Sequence, residues 1–570
     1  MLENFVKSSL SRERGTIYKK GDGRAIRIAL VYPNTYYVGM SNLGFQTIYR
    51  HLNERDDVIC ERAFLPNPDD LRDLIGSSKA LITLEALRPL NTYDIVAFSV
   101  SFENDYPNLI RILELAHIPV FSKNRTKFDP VVLIGGAITY INPEPLVDFA
   151  DCMVIGDGEE ASYAYIDRFI KDQGTTRERH LENVASLNGL YVPALHNLSS
   201  EVQTPIKTGL VAKQKVTSFE DYPAYSAILT PDTEFGDMLL VEISRGCPRR
   251  CRFCAVSYVY PKFRALKPST ILDLIRNKNK SLARDGHGSI KAIGLVSSAM
   301  CDYPYLDELC AGLKETGLRI GVSSVRVDLI PESLLNLMLS TGLQTMTIAP
   351  EAGSERLRKV INKPMSSAEI LIGARRILEK GIKNLKLYFM VGLPMETDKD
   401  IDELIELTKQ LAELQKKVGK PGGRLRLSIN PFVPKALTPF QWSSMATPKE
   451  VKQKLNRIQK GLRRTPSVKI KHESLKSAYF EAILSRGGRE LAPFLIETMR
   501  QNGDWKRAAG EIGMDPTRYL GDMAKDKSLP WNFISTDKEN YRLQWEYRKS
   551  HNIPYRKLKD SAQNGTTNLF

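Results

Sequence analysis

The sequence predicts an α/β protein in three parts: an N-terminal domain with a doubly wound parallel sheet, a partial (β/α)6 barrel, and a basic, mainly α-helical C-terminal region. Three observations predict this fold class. Apolar, β-rich runs alternate with helical patterns from about residue 20 to 175, and the alternation restarts at residue 238. After residue 441, basic residues accumulate along helical patterns. The predicted parts are residues 1–175, a connecting segment 176–237, the barrel 238–440 and the C-terminal region 441–570.

Five strands are predicted in the N-terminal domain, each a compact apolar run. They lie at 25–33, 58–66, 94–102, 131–138 and 152–160, and a helix is predicted near 44–53. Strands separated by helices form a parallel sheet with both faces covered, and ligands bind outside the carboxyl ends of its strands. We therefore expect four polar or glycine-rich strand ends to face one crevice: Asn34–Gly39, Ser99–Asn104, Gly135–Gly136 and Gly156–Gly158.

The connecting segment contains two runs, GLYVPAL and GLVAKQKV, that are consistent with short strands. Beyond it, six strand patterns alternate with helical patterns, including a helix predicted at 367–381. These units are consistent with an open or a curved sheet, and we favour a partial barrel whose strand ends form one mouth. The six strands are predicted at 238–244, 292–298, 320–328, 345–353, 385–394 and 424–434.

The composition is that of a globular protein. The chain has 570 residues, of which 42% are hydrophobic and 26% charged, and this argues against a mainly disordered, collagen-like or coiled-coil protein. No secretory signal is apparent, and no apolar run reaches about 18 residues. We therefore expect a cytoplasmic protein that does not contact a membrane. In that reducing compartment, clustered cysteines are more often metal ligands or catalytic groups than disulfides.

The net charge of +15 is concentrated at the C-terminal end, where residues 441–570 hold 25 basic and 14 acidic residues, a net of +11. Residues 451–472 contain eight Lys or Arg and no acid. This run predicts either phosphate contacts to RNA or a solvated helix face, with Val451, Leu455, Ile458 and Leu462 as the buried stripe. Five aromatic residues are candidate stacking surfaces for RNA: Tyr479, Phe480, Trp505, Trp531 and Trp545.

Three of the seven cysteines, Cys247, Cys251 and Cys254, lie within eight residues, directly after a predicted strand. Their Cys-x3-Cys-x2-Cys spacing suits three corners of a [4Fe–4S] cluster and leaves one iron open to a substrate or cofactor. Zinc is the alternative, but a tetrahedral zinc site commonly takes its remaining ligands from a second pair of cysteines or histidines. None of the seven histidines is paired in the sequence. The spacing therefore favours an iron–sulfur cluster.

The segment CPRRCRFC resembles the CxxxCxxC motif of the radical SAM superfamily, in which an aromatic residue, here Phe253, precedes the third cysteine. The resemblance implies that S-adenosylmethionine (SAM) chelates the open iron of the cluster. Reductive cleavage of SAM would then give a 5′-deoxyadenosyl radical that abstracts hydrogen from a substrate. It also implies a reductant partner such as flavodoxin or ferredoxin. The cofactor supplies the radical chemistry, and the protein orients it and excludes water.

Other superfamily positions are carried over from the same resemblance. Ser297-Ser298 stands where a Gly-Gly-Glu-like motif usually contacts the methionine amino group, which is a departure from the family pattern. PEAGSERLR resembles the superfamily's ESGSE turn, and implies ribose contacts from Glu351 and Ser354 and a carboxylate contact from Arg356. Arg326, after the third strand, is a second carboxylate candidate. MVGLPMET resembles a fifth-strand motif and implies that Gly392 and Glu396 lie near the adenine. For each position, an ordinary turn or salt-bridge role is the alternative.

An α/β domain before a radical SAM core resembles the cobalamin-binding members of the superfamily. IALVYPN, SSAMCDYP and NPFVPK, with the C-terminal segments at 484–491 and 529–534, resemble an uncharacterised family of B12-binding-domain radical SAM proteins. The resemblance implies a cobalamin site at the strand ends, with Ser101, Gly135, Gly136, Gly156 and Gly158 as its residues. The DxHxxG motif of many B12 domains is absent, so the alternative is a scaffold without cobalamin.

If cobalamin binds, the resemblance implies a methyltransferase that acts on an unreactive carbon or phosphorus atom. One alternative is an RNA-modifying, methylthiotransferase-like enzyme without cobalamin. Those enzymes ligate a second cluster with N-terminal cysteines, and this domain has only Cys60 and Cys152. Another alternative is a non-catalytic RNA-binding protein with a structural cluster. Cys301, just beyond the second barrel strand, is a candidate catalytic thiol, and a buried inert cysteine is its alternative.

Overall fold

The computed structural model describes residues 2–20, 23–196 and 210–551. The N-terminal domain is built on six strands in the order β2-β1-β3-β4-β5-β6, of which the first five are parallel and β6 is antiparallel to β5. All five strands predicted there are confirmed. The strands are β1 (Ile26–Tyr32), β2 (Val58–Phe64), β3 (Ile95–Ser99), β4 (Val131–Gly135), β5 (Cys152–Val154) and β6 (Leu190–Tyr191).

Helices cover both faces of this sheet. They are α1 (Leu2–Arg12), α2 (Tyr36–Met40), α3 (Leu43–Asn53), α4 (Pro68–Ile75), α5 (Tyr106–Leu115), α6 (Gly158–Lys171) and α7 (Arg177–Val184). Because side chains alternate along a strand, Ile28 and Leu30 of β1 share a core with α3 and α6, whereas Ala29 and Val31 share a core with α5. The doubly wound arrangement is therefore confirmed.

The second part is a partial barrel of parallel strands, and all six strands predicted for it are confirmed. Strands β7, β10 and β11 form one sheet in the order β11-β10-β7, and β12-β13-β14-β15 form another. A parallel bridge between Val325 and Ile348 connects the two sheets. The strands in chain order are β7 (Leu239–Glu242), β8 (Ser244–Arg245), β9 (Arg264–Ala265), β10 (Ala292–Val296), β11 (Arg319–Val322), β12 (Thr345–Glu351), β13 (Asn384–Val391), β14 (Leu425–Pro431) and β15 (Val468–Lys471). Of these, β8 and β9 form a separate antiparallel pair beside the barrel sheets.

The remaining helices surround the barrel and build the C-terminal region. They are α8 (Val256–Val259), α9 (Pro268–Arg284), α10 (Leu306–Glu315), α11 (Glu332–Ser340), α12 (Glu355–Val360), α13 (Ser367–Glu379), α14 (Asp398–Val418), α15 (Pro448–Leu462), α16 (Leu475–Arg486), α17 (Ala492–Arg500), α18 (Trp505–Glu511) and α19 (Asp537–Ser550). The C-terminal helices pack on the N-terminal domain, and α17 contacts α5. Among the described helices, none is both long and apolar enough to cross a membrane.

The barrel sheet extends past the predicted boundary at residue 440, because β15 pairs in parallel with β14. Helix α15 belongs to the same layer and packs on α14. Its predicted stripe is confirmed, since Val451, Leu455, Ile458 and Leu462 are all buried. Some of its basic residues are also paired within the chain: Lys454 with Glu396, and Arg457 with Asp398 and Asp402. These pairs reduce the positive charge that this helix offers to a partner.

Two expectations are wrong. The segment GLVAKQKV forms no strand over its described residues 210–216, where one isolated bridge joins Gln214 to Gly156. This bridge holds the segment along the end of β5 without a second pairing residue. Four of the five aromatic residues predicted as stacking surfaces are not exposed either, because Tyr479, Phe480, Trp505 and Trp531 are buried in the packing of the C-terminal helices. Trp545 is half-buried, and its role as a stacking surface stays a prediction.

Candidate active site

The three clustered cysteines lie at the carboxyl ends of the barrel strands, in the loop that follows β8. A cavity of about 160 Å³ opens beside them. It is also lined by residues that follow β10, β11 and β12, which converge because the carboxyl ends of parallel strands share one edge. Eight of the residues predicted from the sequence line this one cavity: Cys247, Cys251, Phe253, Cys254, Ser298, Cys301, Arg326 and Glu351.

The three thiols of the motif come together at one place in the fold, because Cys247, Cys251 and Cys254 line the same cavity. Within the described residues, no group of three or more His, Cys, Asp or Glu side chains is placed to hold a single metal ion. A zinc ion needs its thiolates about 2.3 Å from one centre, whereas a cluster is ligated at separate iron atoms. The preference for a four-iron cluster comes from the Cys-x3-Cys-x2-Cys motif.

Lys363 is a charged residue of this cavity that the sequence analysis missed. Its Nζ lies 3.0 Å from Oε1 of Glu351, and its side chain is only 10% exposed. Burial raises the pKa of Cys251 to about 12 and also raises that of Cys254, and the ammonium of Lys363 opposes both shifts. The lysine thus favours the thiolate form that a metal ligand needs. The sequence did contain a signal for this residue, namely a basic residue at the end of the loop that follows PEAGSERLR.

The cysteine loop is braced from two distant parts of the chain. The loop after α12 contributes Asn362, whose Nδ2 donates to the carbonyl of Arg250 at 2.8 Å. In the opposite direction, Arg252 donates from its backbone to the carbonyl of Ile361 at 3.0 Å. The buried guanidinium of Arg252 also pairs with Glu546 of α19 at 3.0 Å. These contacts hold the loop in place without the cysteines themselves.

Cys301 and Arg326 meet across the cavity wall. The Cys301 thiol lies 3.8 Å from the carbonyl oxygen of Arg326 and is partly exposed. Burial raises its pKa to about 11, so the thiol is protonated at neutral pH. The guanidinium of Arg326 pairs with Asp328. Cys301 is therefore a neutral S–H group facing the same space as the cluster cysteines.

Three other predicted SAM contacts lie outside the residues that line this cavity. The Ser297 hydroxyl is 2.7 Å from that of Ser244 and is buried. Ser354 caps α12 by accepting from the backbone of Leu357, and its hydroxyl also bonds to Asp400. Arg356 pairs with the same Asp400 at 2.5 Å and is half exposed. In this structure Ser354 and Arg356 stabilise the start of α12, whereas Ser297 links the end of β10 to β8. The contact of all three side chains with SAM stays a prediction.

The fifth-strand pair also forms a local network. The backbone N–H of Gly392 donates to Oε1 of Glu396 at 2.9 Å, and Lys454 of α15 lies 2.5 Å from the same oxygen. Burial raises the pKa of Glu396, and Lys454 opposes the shift. Neither residue lines the cysteine cavity. The pair joins the end of β13 to α15, and its adenine contact stays a prediction.

A second cavity, of about 340 Å³, lies in the N-terminal domain between one face of the sheet and helices α3 and α6. Its floor is apolar, with Leu30, Ala97 and Leu133 among the strand residues and Ile48 and Tyr165 among the helix residues. All five residues predicted for a cobalamin site line it: Ser101, Gly135, Gly136, Gly156 and Gly158. The segment Asn34–Gly39, which was expected to face the same crevice, does not line the cavity. The nearby segment Asn42–Gly44 lines it instead.

Two of these glycines are required by the backbone itself. Gly136 has φ +109°, and a Cβ there would lie 2.3 Å from the carbonyl oxygen of Val100. Gly156 has φ +125°, and its Cβ would lie 2.2 Å from the carbonyl oxygen of Gln214. Gly135 differs, because a Cβ there would make only an ordinary contact with Val154 at 3.8 Å. The glycines therefore allow the sheet end to pack closely, and they also shape the cavity wall.

Arg245 connects this cavity to the cysteine loop, two residues before Cys247. Its Nη1 donates to Asp157 at 2.9 Å, and its Nη2 donates to Glu159 and to Glu242 at 2.8 Å each. Asp157 precedes α6, Glu159 lies in the first turn of α6, and Glu242 ends β7. Arg245 itself lines the N-terminal cavity. One buried guanidinium thus fixes the position of the N-terminal domain against the barrel.

Comparison with known proteins agrees with this architecture. The family model for the N-terminal region of radical SAM proteins matches residues 44–193, and that of the radical SAM superfamily matches residues 241–408. Together the two matches cover more than half of the chain. The chain belongs to the radical SAM superfamily. It is a radical SAM enzyme, and membership implies a [4Fe–4S] cluster and SAM.

The curated relatives differ in how much of the chain they share. An uncharacterised protein of Methanocaldococcus jannaschii is 29% identical over 88% of this chain and 94% of its own length. A tRNA-2-methylthio-N(6)-dimethylallyladenosine synthase of Desulforamulus reducens is 29% identical over 30% of this chain and 39% of its own. The cytidylyl-2-hydroxyethylphosphonate methyltransferase of Streptomyces wedmorensis is 23% identical over 53% and 58%.

One similar solved structure is that of the cobalamin-dependent SAM radical enzyme OxsB with aqua-cobalamin bound. It is 14% identical, with a TM-score of 0.48, over 95% of this chain and 82% of that chain.

Proposed function

We propose that this radical SAM enzyme is a cobalamin-dependent methyltransferase that acts on an unreactive carbon or phosphorus atom. The observation that carries the proposal is the apolar cavity between the N-terminal sheet and helices α3 and α6. Its rim includes Glu242, Arg245 and Tyr260 of the barrel. A group bound there would extend from the first domain to the cluster-binding loop. The relative that is a methyltransferase supports the reaction class.

The cavity residues fit the nucleotide tail of a cobalamin. Its volume of about 340 Å³ lies within the roughly 300–1,000 Å³ typical of small-molecule sites. The tail ends in a flat aromatic base. The N-terminal cavity is a slot that offers aliphatic side chains from the sheet and from helices α3 and α6. Ser101 and Asn42, whose side chains are 3.1 Å apart, add polar groups at the mouth. When bound, cobalamin would supply the methyl-carrying metal centre of the reaction.

The residues of the cysteine cavity supply ligands for the cluster and polar contacts for SAM. Cys247, Cys251 and Cys254 would ligate three irons, and the cluster would supply the electron and the open iron site for reductive cleavage of SAM. Arg249, Arg326 and Lys363 line the same cavity and are the cations available to the SAM carboxylate. Ser298 and Glu351 offer oxygen atoms to its amino and ribose groups.

The methylthiotransferase alternative is supported by the partial match to a tRNA-modifying enzyme. It needs cysteines in the first domain that can ligate a second cluster. Cys60 and Cys152 are 1% and 0% exposed, and burial raises the pKa of both thiols. Both lie within strands of the sheet rather than at its open end. We therefore favour the methyltransferase over this alternative and over a non-catalytic RNA-binding role.

The test is anaerobic purification with iron, sulfide and corrinoid analysis, followed by reaction with SAM and a reduced flavodoxin. The proposal predicts one corrinoid and one four-iron cluster per chain, and formation of 5′-deoxyadenosine and S-adenosylhomocysteine. A cluster with 5′-deoxyadenosine but no corrinoid, even after reconstitution with hydroxocobalamin, would reject the methyltransferase and leave the radical SAM assignment in place. A cluster without any SAM cleavage would favour the non-catalytic role.

A further inference from the structure

A third cavity, of about 440 Å³, separates the N-terminal domain from the C-terminal helices. It shares no lining residue with the cysteine cavity or with the slot of the N-terminal domain. One wall comes from Leu65, which follows β2, and from the start of α5. The other comes from α16, α17 and α18, with Phe480 and Trp505 as its aromatic members. Its volume falls within the range of small-molecule sites.

The cavity is a close neighbour of the slot in the first domain. Ser101 lines the slot and Asn104 lines this cavity, and both belong to the loop between β3 and α5. Three residues of extended chain span at most about 11 Å. Between these two residues, Glu103 is buried and pairs with Lys435 at 2.6 Å. This ion pair lies in the wall that separates the two cavities. The two cavities are therefore separate sites on either side of one loop.

The charged side chains that line this cavity are both cations. Arg111 and Lys476 line it, and among its described lining residues there is no Asp or Glu. Their partners are Glu114, 3.3 Å from Arg111, and Asp504, 2.9 Å from Lys476. Both carboxylates are more than a third exposed, and exposed pairs contribute little. An anionic group entering the cavity would therefore find two cations at low cost.

Asn104 contributes an unsatisfied acceptor. Its Nδ2 donates to the hydroxyl of Ser477 at 2.8 Å, whereas its buried Oδ1 has no hydrogen-bond partner within the described part of the chain. A buried carbonyl without a partner is destabilising, so such groups commonly pair with a ligand or a water. A ligand N–H would satisfy it. Asn108, one helical turn further along, also lines the cavity.

We propose that this cavity binds a nucleotide, with its heterocycle between the apolar walls and Asn104, and its phosphate at Arg111 and Lys476. A nucleobase presents N–H donors at the edge of a flat apolar ring, and amide side chains are its common partners. A phosphate suits the guanidinium and the ammonium. The proposal does not depend on cobalamin, because no residue of the slot takes part in it.

The test is titration of the full-length protein with cytidine 5′-monophosphate (CMP), with S-adenosylhomocysteine present to occupy the SAM site. Trp505 reports binding by fluorescence, and calorimetry gives the affinity. We expect saturable binding that weakens about tenfold or more in Arg111→Gln and in Lys476→Gln, since a hydrogen bond to a charged group is worth about 1.5–3 kcal/mol. Uncharged cytidine should bind at least tenfold more weakly than CMP.

Arg500→Gln is the matched control, because Arg500 is an exposed cation of α17 that does not line the cavity. It should bind CMP like the wild type. Lys476→Gln decides the outcome if Arg111→Gln folds poorly, since Arg111 also donates to the carbonyl of Met499 at 2.7 Å. No binding of CMP at millimolar concentration, equal binding of cytidine, or unchanged affinity in Lys476→Gln would overturn the proposal.

Discussion

The two parallel sheets differ in what covers their faces. In the first domain all seven residues of β2 are buried, because helices pack on both sides of the sheet. In the barrel, buried and half-exposed residues alternate strictly along β13. Leu385, Leu387 and Phe389 join the core beneath the helices, whereas Lys386 and Tyr388 take the other face.

The difference explains why each sheet has its cavity in a different place. A sheet covered on both faces leaves space only where a covering helix stands off, and its cavity is a slot between α3, α6 and the strands. A curved sheet covered on one face leaves its inner side open, and its cavity lies at the mouth of the barrel. The slot in the N-terminal domain is shaped by apolar packing, whereas the cavity at the barrel mouth is shaped by thiols and charged side chains. Variants that affect one cavity should leave the other intact.

The largest expected effect is that of Cys251→Ala. Removing one of three cluster ligands should abolish the iron–sulfur absorbance and the formation of 5′-deoxyadenosine, because the remaining two thiols do not complete the site. Corrinoid binding should persist, since the slot contains no cysteine ligand. Cys310→Ala is the control, as Cys310 lies on the buried face of α10 and does not line the cavity. An intact cluster in Cys251→Ala would contradict the assignment.

A substitution that fills the slot should have the reverse effect of Cys251→Ala: it should weaken corrinoid binding and leave the cluster intact. Ala97 lines the slot from the middle of β3, so Ala97→Phe places a ring where a cofactor base would lie. We expect at least a tenfold loss of corrinoid affinity, measured by equilibrium dialysis, with cluster content and SAM cleavage retained. Lys171→Phe adds the same ring at the exposed end of α6 and should change neither quantity. Wild-type corrinoid affinity in Ala97→Phe would place cobalamin elsewhere.

Arg245→Gln tests the connection between the two regions. Three carboxylates would lose their buried partner, and breaking such a pair typically costs about 3–5 kcal/mol. We expect lower stability in denaturant unfolding and weaker corrinoid binding, because Arg245 borders the slot. Arg264→Gln is the matched comparison, since Arg264 forms one ion pair within the described part of the chain, with Asp157, and is more exposed. An effect of Arg245→Gln no larger than that of Arg264→Gln would show that the two domains are held by other contacts.

The smallest expected effect concerns Asp105, a buried carboxyl near the end of β3. Burial raises its pKa to about 7, and the hydrogen bond from Asn34 at 2.7 Å opposes the shift. Because the folded-state pKa lies above the unfolded value, the stability from protonation is present at acidic pH and is lost as the pH rises through about 7. Asp105→Asn stays neutral and should be more stable than the wild type at pH 8, by a few kcal/mol at most, since one pKa unit corresponds to about 1.4 kcal/mol.

The gain should shrink at pH 5 in the same unfolding measurement. Glu144, whose pKa burial also raises to about 7, is unchanged in this variant and contributes equally to both proteins. Asp73→Asn on the exposed side of α4 should show no such dependence on pH. An equal gain at pH 5 and pH 8 would attribute the effect to packing instead of charge.

Local patterns predicted most of this fold because strand and helix signals are short-range. The alternation of Leu385, Leu387 and Phe389 indicates a half-covered strand, and the cysteine spacing alone indicates a cluster. Strand β15 escaped prediction because Val468 and Ile470 alternate with lysines inside a basic run. The same charge pattern that suggested a nucleic-acid surface was also the pattern of an edge strand.

The rest of the site depends on contacts that no short pattern contains. Lys363 reaches Glu351 through a loop, and Arg245 meets Asp157 and Glu159 nearly ninety positions away. Ser354 shows the converse, because a serine before a helix is a capping signal as much as a ligand signal. Motif resemblance placed it beside SAM, whereas its contacts in the fold are those of a helix cap.

The ion pair between Arg252 and Glu546 can form only after α19 has been synthesised. Glu546 is 294 residues further along the chain than the cysteine loop that it helps to hold. At roughly 5–20 residues per second, a ribosome needs about 15–60 seconds to add those residues. During that time the cysteines have been made but one of their braces has not. Stable cluster insertion should therefore await nearly the complete chain, and fragments that end before α19 should collect iron poorly.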